Sequence, residues 1–116
     1  MGKKESLIII DDEPDICLLL QRLLSPYFEH IYIRHSIAEG LRLNKSVKPS
    51  ILLLDNNLAD GASLGTIPVF KADHPEGKVI MFSAMNIAAE ALERGADAFL
   101  LKPVSIQSIR QIISEF

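Results

Sequence analysis

A chain of 116 residues with 48% hydrophobic and 23% charged side chains is long enough to bury about two thirds of its unfolded surface in one core. That excludes a disordered or fibrous polypeptide and leads to one domain over residues 1–116. The formal net charge of −3 argues against gripping nucleic acid or an anionic membrane through the bulk field, so any anion is held by local groups. The single cysteine, Cys17, excludes an internal disulfide and reads as a core residue in a reducing, cytoplasmic setting. No run approaches the roughly 18 apolar residues of a membrane span, and the apolar run after Lys3 and Lys4 is too short for a secretory signal.

Leu7 to Ile10 is short, continuous and β-branched, which predicts a strand buried on both faces of a parallel sheet. Asp11, Asp12, Glu13 and Asp15 follow at once. Ile16, Leu19, Leu20, Leu23 and Leu24 then recur at the spacing of one helical face, with Pro14 suited to the first turn and Ser25-Pro26 to the end. Residues 31–35 (IYIRH) read as a second strand. Ser36 and Glu39 form a capping box opening a helix to about Asn44. Residues 51–55 (ILLLD) give a third strand, aliphatic until its terminal acid. Gly61, Gly65 and Pro68 interrupt any helix between Ser63 and Ala72, so the third helix is expected to be irregular. Residues 78–83 are the fourth strand, and Ile87 to Arg94 a short fourth helix ended by Gly95. Residues 98–102 are the fifth strand, and Ser105 caps a last helix that buries Ile106, Ile109, Ile112 and Ile113. Five β/α units without linker or repeat predict an α/β fold: a doubly wound, five-stranded parallel sheet with right-handed crossovers and helices on both faces.

In such a sheet ligands bind at the carboxyl ends of the strands, where the strand order reverses. Those ends carry Asp11 and Asp12, Asp55, Ser83 and Lys102. Three carboxylates on one edge repel by roughly 3 kcal/mol per pair at about 5 Å and an effective dielectric near 20. A hard divalent cation relieves this, and Mg²⁺, which keeps several waters and takes one or two carboxylates, suits the site. Lys102 adds a compact positive charge and Ser83 a hydroxyl donor. Metal, ammonium and hydroxyl around one carboxylate form a set for receiving a phosphoryl group, with Asp55 as the attacking oxygen and an aspartyl phosphate as the product. Singly, Asp12 reads as a helix cap, Asp55 as a turn former and Lys102 as a solvated lysine; their coincidence on one edge gives the chemical reading its weight.

From IIIDDEPD through ILLLDNNLADGAS, VIMFSA and GADAFLLKP to the last helix, the whole chain resembles the receiver domain of bacterial two-component response regulators. The resemblance implies the flavodoxin-like strand order 2-1-3-4-5. It implies Asp55 as phosphoacceptor, and Mg²⁺ (or Mn²⁺) bound by Asp12, Asp55 and the backbone carbonyl of Asn57, with Asp11 acting through water. Lys102 and Ser83 would contact the phosphoryl oxygens, helped by the backbone amides of Asn56 and Ala84. Phe99 stands where the family has its switch aromatic, coupled to Ser83, and the Lys102-Pro103 bond is expected to be cis. The donor would be a histidine kinase or phosphotransfer protein, and the output an unknown domain or protein. Neither nucleic acid nor membrane is expected to bind this segment directly. A stand-alone regulator and a piece of a longer protein both fit, and a homodimer stays open.

Three departures stand out. Similar proteins usually carry Pro and Gly where this chain has Ala59 and Ser63, which questions the rigidity of the loop after Asp55. Pro68 falls inside the third helix, which is expected to be short, kinked or restarted there. Ser83 and Lys102 are 19 positions apart, about one helical turn (roughly 3.6 residues) less than the family commonly shows, which points to a short fourth helix. Asn57 and Met85, beside the expected path of hydrolytic water, are neither acids nor bases.

Other functions fit less well. A flavodoxin-like cofactor binder needs a first loop that welcomes phosphate, and Asp11-Asp12-Glu13 would repel it. A phosphatase of the haloacid-dehalogenase type needs a second Asp two positions after its nucleophile, and here that position is Asn57, so turnover of an external substrate is not expected. The remaining alternative is a receiver-like interaction module that works without phosphorylation.

Overall fold

The computed structural model describes residues 2–116. Strands β1 (Lys4–Ile10), β2 (Phe28–Arg34), β3 (Ile51–Asp55), β4 (Lys78–Ser83) and β5 (Ala98–Leu101) alternate with helices α1 (Pro14–Leu24), α2 (Ile37–Val47), α3 (Ile67–Asp73), α4 (Ala88–Glu93) and α5 (Ile106–Glu115). The strands form one parallel sheet in the order β2-β1-β3-β4-β5, as the resemblance implies.

Strand side chains alternate between faces, and both faces are covered. Leu7, Ile9, Ile51, Leu53, Ile80 and Phe82 pack against Cys17, Leu20 and Leu24 of α1 and Ile109 and Ile113 of α5. Ile8, Ile10, Leu52, Leu54 and Met81 pack against Ile67 and Phe70 of α3 and Ala91 of α4. Each Leu, Ile, Phe or Met among them contributes roughly 1.5–3 kcal/mol relative to exposure, which is why the central strands read as unbroken apolar runs. Among the described residues no helix is long and apolar enough to cross a membrane.

Several element boundaries differ from the sequence reading. β1 starts at Lys4 and β2 at Phe28 because Lys4 pairs with Phe28 and Ser6 with His30; β2 is an edge strand with Glu29 and His30 exposed, so its first half lacks a continuous apolar signal. On α1 the inward face is Cys17, Leu20 and Leu24, while Ile16 and Leu19 are 38% and 51% exposed. The helix is thus turned from the expected face, and Cys17 is core as expected. α2 continues past Asn44 to Val47 and ends at Lys48 in the left-handed conformation. Asn44 is buried, with Nδ2 donating to Phe70 O at 3.2 Å, so a polar residue that resembled a helix end is a bridge to α3.

At the third helix a 3₁₀ turn, Leu64–Thr66, runs into α3, and Pro68 lies in the first turn, where its missing N–H removes no helical bond. The irregularity expected there is a restart, and α4 has only six residues. In α5, Ile109 and Ile113 are buried, with Ile106 and Ile112 half-buried beside them.

Candidate functional site

The parallel register brings the carboxyl ends of β1, β3, β4 and β5 to one edge. Asp11 follows β1 directly, held by Asp11 N donating to Arg34 O of the neighbouring strand at 3.1 Å. Asp55 is the last residue of β3. Both are buried, at 0% and 1% exposure, while Asp12 is exposed. One carboxylate oxygen from each of Asp11, Asp12 and Asp55 lies within 4.8 Å of the others.

Glu13 N donates to Asp11 Oδ1 at 3.0 Å, but Asp11 Oδ2 and Asp55 Oδ1 are buried without a hydrogen-bond partner. Lys102 Nζ is 3.2 Å from Asp55 Oδ1, an ion pair outside hydrogen-bonding geometry. Unpartnered buried oxygens cost free energy, and oxygen-only donors around them fit a hard divalent cation. Burial chiefly, with repulsion from Asp55 and Glu13, pushes the Asp11 carboxyl up to about 6, against the opposing effects of the Glu13 amide and Lys102. Burial, followed by the charges of Asp11, Asp12 and Asp55, pushes the Cys17 thiol up to about 11. Its Sγ donates to Asp11 O at 3.4 Å, so Cys17 is a protonated core residue and not a nucleophile.

Lys102 follows β5, and Lys102 N donates to Ser83 O at 2.8 Å, fixing the two residues side by side. The Lys102-Pro103 peptide is cis. The ammonium also lies 5.1 Å from the centre of the Phe82 ring. Ser83 is fully buried, and its Oγ accepts from Met85 N at 3.1 Å. Phe99 is half-buried against the α3–α4 side of the core. Ala84, Asn57 and Met85 are exposed. The Asn56 amide donates to Phe82 O at 3.2 Å, so this expected phosphoryl contact is engaged with the sheet.

The loop after Asp55 is well tied. Ser63 Oγ donates to Asp55 O at 2.6 Å, Ser63 N to Asn56 O at 2.8 Å and Leu64 N to Asn56 Oδ1 at 3.0 Å. The side chain that replaces the family's glycine therefore supplies a restraint. Two residues escaped the sequence reading. His35 Nδ1 lies 2.8 Å from Asp11 O, and Asp60 accepts from Ile37 N at 2.9 Å and Ala38 N at 3.1 Å. His35 had a weak signal in its place at a strand end; Asp60, more than twenty positions from the amides it caps, had none in its local sequence.

The family model described as "Response regulator receiver domain" matches residues 7–114. The response regulator protein PilR of Pseudomonas aeruginosa is 30% identical over 114 residues, 96% of this chain and 26% of that protein. The transcriptional regulatory protein CitB of Klebsiella pneumoniae is 29% identical over 114 residues, 94% of this chain and 49% of that protein. The chain thus spans about a quarter to a half of the length of these curated relatives. A solved response regulator from Burkholderia pseudomallei, with a phosphorylated aspartic acid, calcium ion and citrate, matches with a TM-score of 0.85 at 24% identity over 96% of this chain and 69% of that one. A CheY-like receiver domain protein from Methanospirillum hungatei matches with a TM-score of 0.89 at 23% identity over 97% of this chain and 93% of that one. At these identities the structural matches show the fold alone.

Proposed function

The chain belongs to the response regulator receiver domain family, and from that premise we propose that Asp55 accepts a phosphoryl group from a phosphohistidine of a kinase or phosphotransfer protein. The observation that carries this reading is the buried Asp55 carboxylate, with one ammonium 3.2 Å away and two more carboxylates within 4.8 Å. Such a cluster is costly unless a cation and a phosphoryl group use it. A phosphorylation-independent module would gain nothing from that cost.

The reaction forms a bond from an Asp55 oxygen to phosphorus as the P–N bond to the donor imidazole breaks, its electron pair staying on nitrogen. Asp12, Asp55 and the Asn57 carbonyl would hold Mg²⁺ (or Mn²⁺), with Asp11 one water removed. When bound, the ion neutralises charge on the phosphoryl oxygens. Lys102 gives the second positive charge, Ser83 Oγ exchanges its Met85 contact for a phosphoryl oxygen, and the Ala84 amide assists; the Asn56 amide shares its Phe82 bond or releases it. With Asn57 where a phosphatase needs a carboxylic acid, the role is regulatory, without turnover of an external substrate.

A groove of about 530 Å³ is lined by Glu13, Ala84 and Lys102 together with Ile16 and Leu19; these two exposed apolar residues of α1 support docking of the donor protein there. Movement of Ser83 and an inward turn of Phe99 would shift the population toward a different α4–β5 surface for an output domain or protein. The cytoplasm, where such kinases present their phosphohistidine, is the proposed compartment. Intact-protein mass spectrometry after incubation with a small acyl-phosphate donor tests the reading. One added phosphoryl group on the parent with Mg²⁺, and none with EDTA or in Asp55→Asn, is the expected result.

A further inference from the structure

The amino end of α2 is tied to both loops that carry the acids. Its three opening amides are all satisfied: Ile37 N and Ala38 N donate to the two oxygens of Asp60, at 2.9 and 3.1 Å, and Glu39 N donates to Ser36 Oγ at 3.2 Å. Ser36 is the local cap, so the helix does not need a carboxylate from a distant loop in order to start. Asp60 lies in the segment after Asp55, between the two-residue strands Asn57–Leu58 and Gly61–Ala62. The far end of that segment is fastened by Ser63 Oγ to Asp55 O at 2.6 Å.

On the other side, His35, which directly precedes the cap, places Nδ1 2.8 Å from Asp11 O. The helix also packs closely on the end of β1, where a Cβ at Gly40 would collide with Cδ1 of Ile10, the residue before Asp11. The start of α2 is therefore a post pressed against the end of β1, with the Asp11 loop held through His35 and the Asp55 loop held through Asp60.

We propose that Asp60 is a positioning residue for the acid cluster: by gripping the opening amides of α2 it holds the loop of Asp55 and Asn57 at a set distance from Asp11 and Asp12. The inference rests on the reading of those acids as the metal and phosphoacceptor site. Two amide donors and the positive end of the α2 dipole favour the carboxylate form of Asp60, and its carboxyl lies below the ordinary range, the Ile37 amide being the main cause. Asn at this place offers one acceptor oxygen in place of two, and Ala none.

The test compares the parent with Asp60→Asn and Asp60→Ala, first without metal by amide hydrogen exchange and then by calorimetric titration with MgCl₂. Faster exchange in Asp60→Ala in both the Asp11–Glu13 and the Asp55–Leu58 loops is expected. So is a loss of Mg²⁺ affinity of about tenfold, the scale for residues that orient metal ligands, with Asp60→Asn between parent and Ala. Faster exchange confined to Ile37 and Ala38 with unchanged affinity would reduce Asp60 to a helix cap and overturn the proposal. Equal affinity losses in Asn and Ala would assign the effect to charge alone and overturn it too. A parent that binds no Mg²⁺ contradicts the metal reading instead, and the metal-free exchange pattern then decides the positioning role by itself.

Discussion

Lys102 Nζ stands 3.2 Å from Asp55 Oδ1 and 5.1 Å from the centre of the Phe82 ring; among the described residues it is the one cation ion-paired with a member of the Asp11, Asp12 and Asp55 cluster. Lys102→Met keeps the stem and removes the charge. Without metal it should destabilise the fold at neutral pH by roughly 1–3 kcal/mol, the cost of leaving a buried charged group uncompensated. It should slow phosphoryl uptake about a hundredfold, as expected for losing an electrostatic contact to the transition state. Thermal melts in EDTA and mass-spectrometric time courses measure both effects.

Asp11 gives a pH dependence of definite sign. Its carboxyl rises from 3.8 to about 6 on folding, so between these values the folded state binds more protons than the unfolded one. The metal-free protein should therefore lose stability as pH rises through that window, by up to about 3 kcal/mol. Asp11→Asn, which retains an acceptor for Glu13 N, should flatten this part of the profile and stabilise the metal-free fold at pH 7. Urea unfolding at a series of pH values in EDTA tests it.

Magnesium acts in the opposite direction. At ten times its dissociation constant it should stabilise the parent by about 1.4 kcal/mol, a rise of several degrees in Tm. Asp12→Asn and Asp55→Asn should each melt higher than the parent in EDTA and gain less from the ion. A parent whose melting ignores Mg²⁺ contradicts the metal site.

Ser63→Gly restores the residue common in similar proteins, yet here it should cost about 1–2 kcal/mol. It removes the 2.6 Å hydrogen bond to Asp55 O and leaves that carbonyl buried without this donor. Pro68→Ala should change stability by less than about 0.5 kcal/mol, because Pro68 interrupts no helical bond. Chemical denaturation of the two variants separates a restraint that matters from a proline that does not.

Strands β1, β3, β4 and β5 were legible because each contains an unbroken apolar run followed by a polar residue, and those polar residues led to the acids, Ser83 and Lys102. Less legible were features in which a residue's partner is remote in the chain. Asn44 resembled a helix end because its acceptor, Phe70 O, lies on another helix; Asp60 drew no notice because the amides it caps come from a helix that precedes it. On α1 three consecutive leucines, Leu18 to Leu20, let the apolar spacing fit more than one rotation of the helix. Burial of Cys17 with Leu20 and Leu24 decides it.

The most direct measurement of the central claim is the position of the phosphoryl group. The parent is incubated with a small acyl-phosphate donor and Mg²⁺, the acyl phosphate is reduced with borohydride, and the modified residue is mapped by peptide mass spectrometry. A reduced product at residue 55 alone, absent with EDTA and from Asp55→Asn, is the predicted result. Equal phosphoryl uptake by the parent and Asp55→Asn, or a product at another residue in the folded parent, would contradict it.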